Sequence, residues 1–193
     1  MNQKIVELGN VLAKATELFE EIKNRTGKQD LQRGNTVTIA GKEWLVLKVE
    51  DNKVYCLHKT LLENEKFDSD SNDWKESSLR EYLNNEFYEE LEIGTENILD
   101  IPVNLLSLDG QTEYGSCTDK VSLLTVDMYR ENRDILPNMD KWWWLATPFS
   151  TPCNDYDTTV CVVSPGGDVD YYYCDGNGAV RPFCIFDSSI FES

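Results

Sequence analysis

Basic side chains are scarce: 18 Lys and Arg stand against 35 Asp and Glu in 193 residues, a formal net charge of −17. Phosphate backbones and anionic headgroups are bound by basic surfaces, so nucleic acid is not an expected partner. Long apolar runs are missing too. No stretch reaches the roughly 18–20 uncharged apolar residues that cross a bilayer, and Met1 to Glu21 carries acids where a signal peptide is apolar. Neither a transmembrane segment nor a secretory leader is expected, and no membrane insertion. Histidine occurs once. His58 follows the apolar run Val54-Tyr55-Cys56-Leu57 and reads as a strand-end residue rather than a general base. HExxH, GxSxG and CxxC strings are absent, and Gly166-Gly167 after Pro165 reads as a hairpin turn, not a phosphate loop. The cysteines at 56, 117, 153, 161, 174 and 184 do not have structural-zinc spacing and are expected to be mostly free thiols. No catalytic residue, no metal and no cofactor is therefore expected.

Acidic spacing deserves a calcium test. Asp68, Asp70 and Asn72 alternate as calcium-loop ligands do, but Asp73 stands where the turn glycine belongs and Leu79 where the bidentate Glu belongs. A helix cap is the better reading. Asp168-x-Asp170 fails the same pattern at Tyr172 and Tyr173. A calcium ion held non-locally by Asp155, Asp157, Asp168, Asp170 or Asp175 stays open.

The length suits one well-packed domain. Residues 1–33 precede it: Ile5, Leu8, Leu12, Ala15, Phe19 and Ile22 form one helical seam, followed by a linker. That helix either lies on its own domain or joins copies into a homo-oligomer. Residues 34–193 form the domain. TVTIAG, EWLVLKV and KVYCLH predict a three-stranded meander with turns at Gly41 and Asp51-Asn52. Leu79, Tyr82, Leu83 and Phe87 predict a helix of about four turns. A short helix is expected within 119–131, capped by Thr125 or Asp127. After Trp144 only TVCVV, residues 159–163, is a regular apolar run, so irregular strands and loops are expected there. Trp142-Trp143-Trp144 reads as core. The class is α+β.

Between Ser150 and Gly178, Tyr, Asp, Asn, Gly, Ser and Thr make up 20 of 29 residues. Tyrosine supplies rigid contact area and the small polar residues supply adaptable hydrogen bonds, as in antibody-type loops. Lys, Glu, Gln, Met and Trp number 42 in the chain, yet none falls between Leu145 and Phe191, where uniform composition would place about ten. A Gly- and Asp-rich loop region that excludes long side chains would look similar.

Trp143-Trp144-Leu145-Ala146-Thr147-Pro148, Val162-Val163-Ser164-Pro165-Gly166-Gly167-Asp168-Val169 and Gly178-Ala179-Val180-Arg181-Pro182 together resemble the C-terminal signature of a bacterial and phage family. Trp44 to Leu47, Ser78 to Asn84 and Leu123-Leu124-Thr125 extend the resemblance over residues 34–187. It implies a C-type-lectin-like fold related to the formylglycine-generating enzymes. Some members are variable proteins of diversity-generating retroelements, whose C-terminal codons are rewritten at template adenines. An AAC codon treated in this way becomes NNC, which cannot encode Lys, Glu, Gln, Met or Trp. Ala146 and Ala179 depart from the Arg and Gly that the family often carries. The resemblance implies a variable binding face over about 145–187, with Asn154, Asp155, Tyr156, Asp157, Asp168, Asp170, Tyr171, Tyr172, Tyr173 and Asp175 as ligand contacts. Ser150, Thr151, Cys153, Cys174 and Asn177 are second choices, the two cysteines being products of variation rather than a disulfide. Val160, Val162 and Val169 are expected to point inward and the Asp and Tyr side chains outward. The implied function is recognition of a host-surface protein or glycan by a phage virion component in the tail or fibre. The alternatives are a lectin-like interaction module of fixed specificity and, less favoured, an enzyme of the formylglycine-generating type.

Overall fold

The computed structural model describes residues 31–191 and, in the segment before them, Lys14, which is helical and exposed. The helix expected over 1–24 and its part in oligomerisation otherwise lie outside the described residues.

Strands β1 (Thr36–Ile39), β2 (Lys42–Glu50) and β3 (Lys53–His58) form the expected antiparallel meander. Ala40 and Gly41 turn the first hairpin at φ of 52° and 68°, the pair of left-handed residues that a tight two-residue turn requires. Trp44 to Leu47 are buried in sequence rather than alternately, where the pairing of β2 with β3 shifts register between Val46 and Lys48.

After the short β4 (Asn64–Glu65), the expected helix carrying Leu79, Tyr82, Leu83 and Phe87 runs without interruption from Ser78 to Glu90, with one π turn inside it. A single turn at Trp74–Glu76 precedes α1 (Ser78–Tyr82), a π-helical turn (Leu83–Phe87) and α2 (Tyr88–Glu90). Ser77, with extended backbone, separates the single turn from this helix and caps it, its hydroxyl accepting from the Arg80 N–H at 3.2 Å. At the π turn the Asn84 amide donates to the Arg80 carbonyl at 3.0 Å, the group that a regular helix gives to the backbone N–H of residue 84. Leu79, Leu83 and Phe87 still reach the core.

Strands β5 (Ile98–Leu99), β6 (Ile101–Asn104) and β7 (Ser116–Asp119) follow, then α3 (Val126–Glu131), whose N-cap is Thr125. The helix lies within the expected 119–131 and starts at Thr125, one of the two caps the sequence offered, the Thr125 hydroxyl accepting from the Met128 N–H. Asp119 has a fully buried side chain, bound to Arg80 Nε at 2.6 Å and to Trp74 Nε1 at 2.7 Å, and it ties the helical region to β7.

The C-terminal quarter is regular, contrary to expectation. β8 (Trp143–Pro148), β9 (Thr159–Val163), β10 (Val169–Tyr173), β11 (Gly178–Ala179) and β12 (Phe183–Asp187) complete two five-stranded sheets, β1-β2-β3-β12-β5 and β10-β9-β8-β11-β4. β9 has strands on both sides and all five residues buried, whereas β10 is an edge strand with four of its five residues exposed, so neither alternates. Among the described residues the molecule is mixed α and β, mostly sheet with few helices. Trp143 and Trp144 lie in the core as expected, while Trp142 is 43% exposed.

Candidate functional site

The Asp- and Tyr-rich window forms the β8–β9 connection, the β9–β10 hairpin and the edge strand β10. Asn154, Asp155, Tyr156, Asp157, Asp168, Asp170, Tyr171, Tyr172, Tyr173 and Asp175 are all exposed, as are Cys153 and Asn177. Three second-choice contacts are corrected by burial. Ser150 turns inward to donate from Oγ to Asp109 Oδ2 at 2.7 Å, and Thr151 is fully buried at the start of the turn Pro152–Asn154. Cys174 is buried because its backbone closes the sheet: its N–H donates to the Thr158 carbonyl and its carbonyl accepts from Phe67 and Asp68.

Val160 and Val162 are buried as expected and Val169 half-buried, but the tyrosines do not share one outward face. Adjacent strand residues point to opposite sides, so Tyr172 packs 5.9 Å from the Trp144 ring while Tyr171 lies 4.6 Å from Phe149. Phe149 also meets Tyr156 at 5.9 Å, which gathers Tyr156 and Tyr171 around one ring. The Tyr172 side is fixed more tightly. A Cβ at Gly178 would come within 2.6 Å of the Trp144 indole, so only glycine lets β11 pass this ring.

Asn72 holds the β8–β9 connection. It is fully buried, its amide nitrogen donates to the carbonyls of Ser150 (3.0 Å), Tyr156 (3.0 Å) and Thr159 (2.8 Å), and its backbone N–H donates to that of Asp157 (2.7 Å). Tyr114 donates its phenolic proton to Asn72 Oδ1 at 2.6 Å; burial pushes that phenol up to about 12, so the donor keeps its proton. The β9–β10 turn is gripped in the same manner. Tyr129 donates to the Gly167 carbonyl at 2.7 Å and Asn138 to that of Gly166 at 2.9 Å. In each case a side chain from outside the window bonds the window's main chain.

A second loop, between β6 and β7, reaches the same region. Asp109 accepts from Ser150 and from Asn154 Nδ2 at 2.9 Å, and these bonds with that of Ser107 lower its carboxyl below the usual range. Glu113 accepts from the Cys153 thiol at 3.0 Å, which lowers the carboxyl and raises the thiol. Sequence reasoning missed Asn72, Asp109, Glu113, Tyr114 and Phe149. The DSDSND run did signal capping, and the structure bears that out: Asp68 accepts from the backbones of Asp70, Ser71 and Ser78, and Asp73 from Lys75.

All six cysteines are unpaired, and burial pushes the Cys161 thiol up to about 12 and those of Cys56 and Cys184 well up. None is held as the thiolate that nucleophilic chemistry uses. Among the described residues no three His, Cys, Asp or Glu side chains converge as a metal site, so Asp155, Asp157, Asp168, Asp170 and Asp175 do not gather around one point. Four clefts of about 140 to 490 Å³ lie elsewhere, none lined by a residue from 150 to 178. The window's exposed side chains stand on the β8–β9 connection and on both sides of the edge strand β10. No known family model matches the sequence, and no curated protein or solved structure matches the chain.

Proposed function

We propose that this chain is a binding protein of C-type-lectin-like fold, whose exposed face between Cys153 and Asn177 is diversified by a retroelement. Its partner is a host-surface protein or glycan, and the chain serves as a phage virion component. One observation carries the reading. Asn72, Tyr129 and Asn138 hold the window by its carbonyl oxygens, which every residue type possesses, while of the exposed Asp, Asn and Tyr side chains in the window Asn154 alone hydrogen-bonds a side chain outside it, Asp109, among the described residues. A fold that must survive rewriting of its binding residues needs this division between main-chain support and side-chain display. The absence of Lys, Glu, Gln, Met and Trp from 145 to 191 agrees with NNC codons as the source of the variation.

Deep sequencing of the gene's 3′ end and downstream flank in its source population tests the reading. Substitutions are expected at the codons of the exposed Asp, Asn, Tyr and Cys153 positions, with Ser150, Thr151 and Asn72 constant and a near-copy template carrying AAC at the variable sites. A uniform sequence without a template would overturn diversification and leave a module of fixed specificity.

A further inference from the structure

The exposed aromatic patch has an electrical sign. Tyr156 and Tyr171, each 53% exposed, flank Phe149, and Tyr173, 63% exposed, lies two residues from Tyr171 on the same side of β10. Around these rings negative charge prevails: five aspartates stand there, against the exposed Arg133 beside the Gly167 turn, whose guanidinium donates to Asn138 Oδ1 and the Leu136 carbonyl. Asp155, Asp157, Asp168, Asp170 and Asp175 are exposed, and none of them is in an ion pair among the described residues, although seven ion pairs form elsewhere on the molecule. The one basic residue between Leu145 and Ser193 is Arg181, which is fully buried and spends its guanidinium on the His58 and Lys59 carbonyls.

Resting on the binding reading above, we propose that the partner of this face is a basic protein surface, whose Lys or Arg side chains lie over the exposed tyrosines and pair with the surrounding aspartates. Uncompensated carboxylates repel sialylated or phosphorylated ligands and attract cations. Tyrosine faces add attraction for guanidinium and ammonium groups through the ring quadrupole, with Arg the more frequent partner. A neutral glycan would use the rings but draw nothing from the aspartates.

The test uses the full chain and three labelled probes read by fluorescence anisotropy: a nona-arginine peptide, a nona-glutamate peptide and a neutral chito-oligosaccharide. Three variants are compared. Tyr171→Ser with Tyr173→Ser removes rings at constant charge; Asp155→Asn, Asp157→Asn and Asp168→Asn remove three charges from the face; Glu86→Gln, Glu89→Gln and Glu92→Gln remove three from the helical region. The nona-arginine peptide is expected to bind, the nona-glutamate peptide not, with binding weakened about tenfold by the first two variants and less than about twofold by the third. Equal losses in the two charge variants, or no nona-arginine binding, would overturn the basic partner. Chito-oligosaccharide binding that is lost with the tyrosines alone would also overturn it, yet would leave the face standing as a binding site.

Discussion

His58 shows what burial does to a single side chain. It packs edge-on against Trp44 at 5.2 Å and Phe87 at 6.3 Å, and its Nδ1–H donates to the Thr60 carbonyl at 2.8 Å. Burial lowers its pKa below the usual 6.5, outweighing that hydrogen bond. The neutral form therefore belongs to the folded state. As pH falls through about 6.5, the unfolded chain takes up a proton that the folded chain resists, so stability falls, and it levels off only below the folded pKa. Urea midpoints measured from pH 8 downward should show this loss, with a slope of at most about 1.4 kcal/mol per pH unit from this group. His58→Leu should flatten the region above pH 5.5 or so, where carboxylates contribute little. With a single histidine in the chain, NMR reads its titration directly, and a folded pKa at or above 6.5 would refute the assignment.

At the scale of elements, the parts that sequence reasoning recovered are those whose cause is local. The β1–β2–β3 meander is written in alternation and turn residues a few positions apart, and the caps at Asp73, Ser77 and Thr125 each bond within three residues. β9 and its hairpin turn were legible in TVCVV and Gly166-Gly167, but the burial of β9 and β10 was not, since it depends on neighbours: β9 has β8 and β10 on its two sides, while β10 is an edge strand among the described residues. Asn72 escaped for the same reason. Its carbonyl partners stand 78 to 87 residues away, and its sequence context speaks only of capping. Asn72→Ala should expose how much the β8–β9 connection depends on it. Several buried carbonyls and the Tyr114 hydroxyl lose their partner, at about 1–3 kcal/mol for each group that water cannot reach, so a destabilisation of roughly 3 kcal/mol is expected in urea unfolding. Amide exchange should accelerate most between Ser150 and Thr159. A uniform acceleration over both sheets, or no change in stability, would contradict an anchoring role.

For the molecule as a whole, the exposure of the candidate contacts was legible by composition more than by position. Twelve of the fifteen candidate contacts are exposed on one region of the fold, because Asp, Asn and Tyr in that density resist burial. The three failures, Ser150, Thr151 and Cys174, are small residues for which composition does not tell display from support. The proposed function divides the chain into a scaffold that supports the window through its main chain at Asn72, Tyr129 and Asn138, and a set of exposed side chains that contact the partner. The most direct measurement of this division is a library that draws NNC codons at the twelve exposed positions, compared with one that draws them at Asn72, Tyr114, Tyr129, Asn138, Ser150 and Thr151, both sorted for protease resistance on a display platform. Most members of the first library should remain folded and most of the second should not. If the two libraries lose folded members in equal proportion, the face is part of the structural framework and the division fails.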